Sequence, residues 1–266
     1  MYRSQKINDY TYKILDSYDE AMFLIIGQNK ALLIDSGMEK ENLYDYVCQL
    51  TDKSIDLALS HGHIDHIGRS GDFNNVYMNL LDQDVYLSHM EINEGHFSNE
   101  GLNFHKIESI QAMPEYFDLG QIVIKVLPLA GHTPGSVIFI DENEKTIYTG
   151  DAIGSGCGCW MQLDECLNTS CYQKNIRYVI EYLEKLNVDN SWIFYGGHDQ
   201  QEYHSRVSDY NRLDFQLLKD MEQLCQKLLY HCVHYEKSKA LMMSHQPYYV
   251  SYQKAEMIVT KEKVNE

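Results

Sequence analysis

Three histidines and one aspartate fall within six consecutive positions, in the segment HGHIDHIG that begins at residue 61. Imidazole nitrogens and carboxylate oxygens are the ligands that zinc and neighbouring metals take at catalytic sites. Four such groups packed together without a metal would lose hydration and compete for protons, which is costly. The alternative is a surface histidine cluster with no role, and the density of the motif favours a metal site. Its ligands would be His61, His63, Asp65 and His66.

Four further motifs lie along the chain in a fixed order. They are LLIDSG with Asp35, GHTPGS with His132, YTGDAI with Asp151 and YGGHD with His198. An HxHxDH motif after an apolar strand, combined with these four motifs in this order, resembles the signature of the metallo-β-lactamase superfamily. The resemblance covers about residues 12–200, and the order and spacing are more specific than any single element.

The resemblance implies an α/β fold, a four-layer αββα sandwich with the site on one edge. With only four prolines and no obvious interdomain linker, one domain is expected over residues 1–266, with residues 200–266 adding helical and strand elements that complete it. Two divalent metal ions would be bound. One would be held by His61, His63 and His132; the second by Asp65, His66 and His198; Asp151 would bridge both. Asp35 is expected to be structural, bonding the backbone of the metal loop or a ligand histidine.

The carboxylate at Asp151 stands where penicillin-destroying members often have cysteine. This places the sequence nearer the glyoxalase II-like and lactonase-like branches, and HxHxDH also differs from the HxExDH of diiron flavoproteins. The implied activity is hydrolysis of a small ester, thioester or lactone by a metal-bridging hydroxide, with Asp65 in a catalytic role. Zinc is the expected metal, although nitrogen and oxygen ligands also accept manganese, iron or cobalt.

Three other functions stay open at this point. The same metal pair supports hydrolysis of small phosphodiesters. Sulfur dioxygenases share the motif set and use a single iron. A non-catalytic, metal-carrying or protein-binding domain would leave the ligand set without a use, which makes it the weakest alternative.

The amino-acid composition indicates which classes of binding partner the protein can have. The chain has 266 residues, with 22 basic and 39 acidic residues and a formal net charge of −17, so it should repel nucleic acids and act on a small-molecule substrate. No apolar run approaches the roughly 20 residues that span a bilayer, and the first residues lack the apolar core of a signal peptide. Seven scattered cysteines then indicate reduced thiols and a cytoplasmic location.

The remaining polar and aromatic candidates have ordinary interpretations. Cys157 and Cys159 are expected to shape a loop after the fourth motif rather than to bind metal. Trp160 and Met161 either line an apolar substrate wall or anchor that loop. Tyr195 could donate to an oxyanion, but burial in a strand is favoured. Surface or locally bonded positions are expected for His89, His96, His105, His204, His231, His234 and His245.

The hydrophobic patterns supply the elements that must position these residues. Two runs of strands, each closed by helices, suggest a layered α/β arrangement. Strands are expected at 10–16, 22–26, 31–35, 55–60, 76–79, 85–88, 122–128, 136–140, 146–149 and 191–195. Helices are expected at 40–52, 171–186 and, as one or two, at 205–236. The YYVSYQKAEMIVT segment predicts a final strand or hairpin.

Overall fold

The protein is described from a computed structural model, which covers residues 1–96, 104–107, 109–154, 158–199, 212–238 and 245–265. The chain divides into two compact units. Unit 1 comprises Met1–Val126 and Phe139–Glu144, and unit 2 comprises Leu127–Ile138 and Lys145–Glu266. A single domain over residues 1–266 stays a prediction.

Unit 1 contains a seven-stranded sheet whose strands follow chain order. Its strands are β1 (Arg3–Lys6), β2 (Thr11–Leu15), β3 (Ala21–Ile26), β4 (Ala31–Ile34), β5 (Ile55–Ala58), β6 (Val76–Met78) and β7 (Gln111–Ala112). The first four strands pair antiparallel, whereas β4 to β7 pair parallel. An antiparallel hairpin of β8 (Tyr116–Asp118) and β9 (Val123–Pro128) follows.

The parallel pairing of β4 and β5 decides where the first polar motifs lie. Every residue of both strands is buried, which matches the apolar run ALLI and the run IDLA, apolar except for Asp56. Because neighbouring parallel strands end at the same edge of a sheet, the segments that leave β4 and β5 start side by side. Asp35 directly follows β4, and Ser60 and His61 come soon after β5.

The helices of unit 1 alternate along the chain with the parallel strands β4 to β7. They are α1 (Leu43–Val47), α2 (Ile64–Ile67) and α3 (Gln83–His96), with 3-10 turns at Ser70–Asp72 and Leu80–Asp82. The strand expected at 85–88 is wrong, because these residues belong to α3. Buried Asp82, Val85, Tyr86 and Met90 follow helical spacing, so burial of one face prevails over the strand preference of Val and Tyr.

Unit 2 contains a parallel strand pair and a four-stranded sheet. The pair is β11 (Thr146–Tyr148) with β13 (Ile193–Tyr195). Strand β10 (Val137–Asp141) precedes it and is divided between the units. The four-stranded sheet has the order β12 (Cys159–Met161), β16 (Ala255–Val259), β15 (Tyr248–Tyr252), β14 (Glu236–Lys237). The final hairpin is therefore confirmed, whereas five of the described strands had no counterpart among the expected ones: β1, β7, β8, β12 and β14.

Three helices complete unit 2: α4 (Thr169–Lys185), α5 (Phe215–Leu229) and α6 (Lys261–Asn265). Asn168 and Asp214 cap α4 and α5, each side chain accepting a hydrogen bond from a backbone N–H of the first turn. The helix expected over 205–236 corresponds to α5, which ends at Leu229, seven residues before the expected end. Residues 205–211 lie outside the described part of the chain. Within the described residues, every helix is too short or too polar to cross a lipid bilayer.

Candidate metal centre

The HGHIDHIG segment in unit 1 brings three imidazole rings together. His63 ends the extended approach at φ −77° and ψ 148°, and α2 begins at the next residue. The ring centroid of His61 lies 4.7 Å from that of His63 and 4.3 Å from that of His66. All three histidines are buried. One short turn of helix after an extended segment therefore gathers the rings that the motif predicted as ligands.

Asp35 and Ser60 fix which nitrogen of two of these rings carries the proton. Asp35 Oδ2 accepts from the Ser60 hydroxyl at 2.8 Å and lies 3.1 Å from His66 Nδ1. A carboxylate only accepts, so His66 Nδ1 is the donor. Because the Ser60 hydroxyl donates its one hydrogen to Asp35, its oxygen accepts a hydrogen bond from His61 Nδ1 at 3.0 Å. In the neutral form both rings therefore present an Nε2 lone pair, the form that a metal needs.

The structure confirms the structural role expected for Asp35. Its Oδ1 accepts from the backbone N–H of Ser60 at 2.7 Å, so one buried carboxylate contacts both the start of the HGHIDHIG segment and a histidine predicted to be a ligand. Asp35 adopts φ 61°, a left-handed conformation that aspartate and asparagine tolerate better than most residues. The half-buried Asp65 lies on α2, with Oδ2 3.7 Å from His66 Nε2.

The segment that leads into α3 packs directly on the metal loop. Asp82 Oδ2 accepts from the backbone N–H of Gly62 at 2.9 Å. A Cβ at Gly62 would lie 3.0 Å from the backbone nitrogen of Tyr86, so a side chain here would require a shift of a few tenths of an ångström that glycine avoids. His89, on the next turn of α3, has its ring centroid 4.7 Å from that of His63, with 28° between the planes. A surface or locally bonded position was expected for His89, because residues 85–88 were interpreted as a strand and no helix face was predicted here.

Unit 2 brings together the three later motif residues. Strands β11 and β13 are parallel neighbours, so the segments that carry Asp151 and His198 leave the sheet side by side. The backbone N–H of Gly197 donates to the carbonyl of Gly150 at 3.0 Å. Asp151 Oδ2 lies 3.2 Å from His198 Nε2 and 3.8 Å from His132 Nε2. One buried carboxylate oxygen thus faces two imidazole nitrogens.

His132 is oriented by a backbone carbonyl. Its Nδ1 lies 2.7 Å from the carbonyl oxygen of Trp160, on strand β12. A carbonyl only accepts, so Nδ1 is the donor and Nε2 presents the lone pair. The thiol of Cys166 lies 3.1 Å from the His132 carbonyl and 3.3 Å from that of Trp160. Sequence reasoning treated Trp160 only as a side chain and therefore missed the contribution of its backbone.

The other candidates in this region take ordinary roles. Burial raises the pKa of the Cys159 thiol to about 12, which makes it a poor thiolate ligand at neutral pH. Cys157 and His204 lie outside the described residues. Tyr195 is half-buried in β13, with its ring stacked on that of Tyr148 at 6.1 Å.

The donor set of each unit fits a divalent metal. In His61, His66 and His132 a fixed Nδ1 donor leaves Nε2 in the ligating form, the arrangement that supports histidine ligands in metalloproteins. Across the described residues, histidine and acidic side chains form groups that could hold a metal ion. The chemistry that these groups support is Lewis-acid catalysis of hydrolysis.

Comparison with known proteins shows the family. A model of the metallo-beta-lactamase superfamily matches residues 19–198, more than half of the chain. The chain belongs to this superfamily, whose members are metal-dependent hydrolases that act on small molecules. The resemblance and the α/β fold class inferred from the motifs are confirmed.

Two curated relatives cover part of the chain. An uncharacterized protein of Aquifex aeolicus is 30% identical over 138 residues, which are 49% of this chain and 64% of that protein. The hydroxyacylglutathione hydrolase GloC of Haemophilus influenzae is 28% identical over 141 residues, 48% of this chain and 64% of its own length. The chain thus spans less than two thirds of the length of these relatives.

A solved structure matches over a larger share. TTHA1623, crystallised in a di-iron-bound form, superposes with a TM-score of 0.53 at 22% identity. The match covers 71% of this chain and 95% of TTHA1623. At this level of identity the likeness concerns the fold.

Proposed function

We propose that this protein is a hydrolase with two divalent metal ions, zinc first among the candidates, that cleaves a small ester, thioester or lactone. In this proposal His61, His63 and His132 hold one ion, Asp65, His66 and His198 hold the other, and Asp151 bridges them. A single domain over residues 1–266 and a cytoplasmic location belong to the same proposal.

One observation carries the metal assignment. His61, His66 and His132 come from two motifs, yet each has its Nδ1 proton committed to an oxygen of the chain. A histidine cluster without a metal role has no need for one tautomer throughout. Uniform presentation of Nε2 supports a ligand function for these rings.

The charges of the proposed ligands suit hydrolysis. When bound, two divalent ions lower the pKa of a coordinated water and draw off the negative charge that develops on the substrate. Among the seven side chains only Asp65 and Asp151 carry negative charge, so the loaded site keeps a net positive charge. Asp65, half-buried on α2, is the carboxylate assigned to hold and orient the proton of the attacking water.

The substrate class is supported by the relatives and by charge. GloC, as its name states, hydrolyses hydroxyacylglutathione, a small acyl compound. The net charge of −17 slows the approach of polyanions such as oligonucleotides, and a small acyl compound escapes that penalty. Both points favour acyl transfer to water over cleavage of a nucleic acid backbone.

The test is elemental analysis combined with a substrate panel. The metal content of the purified protein should approach two ions per chain. One tetrahedral zinc takes about four ligands, and the proposal has seven. The metal-loaded protein should hydrolyse an activated thioester, ester or lactone, and should leave single-stranded RNA and DNA intact at low and moderate salt.

Each part of the proposal has its own contrary result. A firm value of one metal per chain, unchanged by added zinc or manganese, would rule out the dinuclear site. Oxygen consumption by an iron-containing preparation would instead support sulfur oxidation. Faster cleavage of oligonucleotides or small phosphodiesters than of every acyl substrate would replace acyl hydrolysis with phosphodiester hydrolysis.

A further inference from the structure

Helix α6 is fastened to a turn that lies far earlier in the chain. The ammonium group of Lys263, on that helix, donates to the carbonyl oxygen of Asp164 at 2.8 Å and to that of Cys166 at 2.6 Å. Hydrogen bonds from a charged donor are shorter and stronger than those between neutral groups. One cation therefore holds two backbone carbonyls of the same turn.

The turn held by Lys263 directly follows strand β12. Within it, the backbone N–H of Cys166 donates to the carbonyl of Leu163 at 3.1 Å. Both acceptors of Lys263 are backbone atoms, so substitution of Asp164 or Cys166 leaves them in place. Substitution of Lys263 instead removes the donor of both bonds.

The same turn contacts both sides of the hydrogen bond that orients His132. On the histidine side, the backbone N–H of Leu167 donates to the carbonyl of Gly131 at 2.8 Å. The Cys166 thiol also lies 3.1 Å from the carbonyl of His132 itself. On the acceptor side, that thiol lies 3.3 Å from the carbonyl of Trp160, which accepts from His132 Nδ1. A thiol is a weak donor, so the backbone bond of Leu167 carries most of the connection.

We infer that Lys263 is a positioning residue for the His132 ring: by holding the 164–166 turn, it fixes the backbone of residues 131–132 against the carbonyl of Trp160. The consequence for zinc rests on the proposed function of His132 as a ligand, whereas the position of the ring does not. The inference adds a charged side chain of helix α6, outside all five motifs, to the groups that keep Nε2 of this ring in the ligating form.

Substitutions on α6 separate this role from a general loss of stability. Lys263→Met removes the ammonium group but keeps an unbranched side chain of similar helix propensity, and Lys263→Arg keeps a cationic donor. Lys261→Met is the matched control on the same helix. The ammonium group of Lys261 lies over the rings of Tyr235 and Tyr248, 5.6 Å and 5.0 Å from their centroids. Each change to methionine thus detaches α6 from one neighbour, and the neighbour of Lys263 is the turn beside His132.

The first measurement uses the metal-free protein. The proton on His132 Nδ1 is buried and bonded to the Trp160 carbonyl, so it should exchange slowly with solvent in NMR spectra of protein with isotope-labelled histidine. The signal is assigned by its loss in His132→Gln. Lys263→Met should speed this exchange by about tenfold or more, because the lost hydrogen bonds involve a charged group. The backbone N–H of Thr149, bonded to the Tyr195 carbonyl at 2.8 Å in the same unit, should keep its exchange rate.

The second measurement is zinc affinity, by competition with a chromophoric chelator. Lys263→Met should weaken one affinity by about tenfold, the lower end of the range for residues that orient a ligand, because Lys263 acts through the backbone. Lys263→Arg should recover most of that loss, and Lys261→Met should bind zinc as the unaltered protein does. The unfolding midpoint of each metal-free variant is recorded in parallel.

Several results would overturn the inference. Equal exchange of the His132 ring proton in Lys263→Met and in the unaltered protein would do so. Faster exchange at His132 and Thr149 together, or an equal loss of zinc affinity in Lys261→Met, would also do so, because either would mark a general loosening of unit 2.

The two measurements keep the positioning role and the proposed function apart. If the unaltered protein binds no zinc while Lys263→Met speeds exchange at His132 alone, the proposed function fails and the positioning role stands. If the unaltered protein binds two ions and Lys263→Met changes neither the exchange nor the affinity, only the positioning role fails.

Discussion

The two groups of proposed ligands are oriented by different parts of the chain. In unit 1 the orienting atoms belong to side chains: Asp35 and Ser60 hold His66 and His61 through their Nδ1 atoms. In unit 2 the orienting atom of His132 is the backbone carbonyl of Trp160. The first arrangement depends on residue identity, whereas the second depends on the path of strand β12.

This difference predicts which single substitutions can lower the metal affinity. A side chain that orients a ligand can be removed by changing one residue, and the metal affinity then falls. A backbone carbonyl survives substitution of its own residue as long as the strand keeps its place. Unit 1 should therefore be sensitive at its orienting positions, and unit 2 mainly at the ligands themselves.

Loss of a proposed ligand in unit 2 should have the largest effect. Asp151 Oδ2 faces the Nε2 atoms of both His198 and His132, so Asp151→Ala removes the proposed bridge. We expect turnover to fall by more than about 100-fold, the upper end for residues that only orient a ligand, and at least one metal to be lost. Steady-state kinetics and elemental analysis measure both quantities.

Asp164→Ala is a suitable control for that change, because it removes an exposed aspartate of the same unit. Its activity should equal that of the unaltered protein. Near-normal activity of Asp151→Ala with two metals retained would place the bridge on another residue.

Asp35→Asn tests an orienting side chain in unit 1 and should have the next largest effect. Asparagine tolerates the left-handed backbone at φ 61°, so the substitution removes charge without straining the chain. The amide oxygen can still accept from the Ser60 backbone, but the amide group cannot accept from both the Ser60 hydroxyl and His66 Nδ1. Zinc affinity should fall by about 10- to 100-fold in chelator competition.

The matched control is Asp56→Asn, a second buried aspartate of unit 1 that pairs with Lys30 rather than with the metal loop. This variant should bind zinc normally even if its unfolding midpoint decreases. Equal zinc losses in both variants would mean that general destabilisation, not ligand orientation, controls metal binding.

Cys166→Ala tests the corresponding neighbour in unit 2 and should have the smallest effect. Its thiol lies near the carbonyls of His132 and Trp160, but a thiol is a weak donor and the bond from His132 Nδ1 to the carbonyl of Trp160 remains. Zinc affinity should change by less than about tenfold, below the range for an orienting residue. A loss as large as that of Asp35→Asn would remove the distinction between the units.

Sequence patterns could predict the ligand types but not all of their supports. The HxHxDH spacing indicated a metal loop because few other arrangements crowd imidazoles and a carboxylate so closely. Asp35 was also predicted to be a support, since it ends a strand in a recognisable motif. The stacking of His89 on His63 and the carbonyl that orients His132 were missed, because each contact comes from tertiary packing that leaves no local pattern.

The strand and helix errors have similar causes. Long apolar runs such as IDLALS predicted buried strands correctly, because their burial is continuous. Residues 85–88 form part of α3 instead of a strand, because the buried positions follow the face that packs on the metal loop. Strand β12 has three residues and pairs with β16, about a hundred positions later, and such a distant partner gives no local signal.

The pairing of β12 with β16 has a consequence for how much of this protein is needed. Trp160 is paired in register with Ile258, far beyond residue 198, where the superfamily match ends. A shortened version that stops near residue 200 would retain every proposed ligand yet would leave β12 without its neighbour. The carbonyl that orients His132 would then have no fixed position. Strand β16 is thus a remote support of the proposed metal centre, and engineering that trims the protein to its family core would discard it.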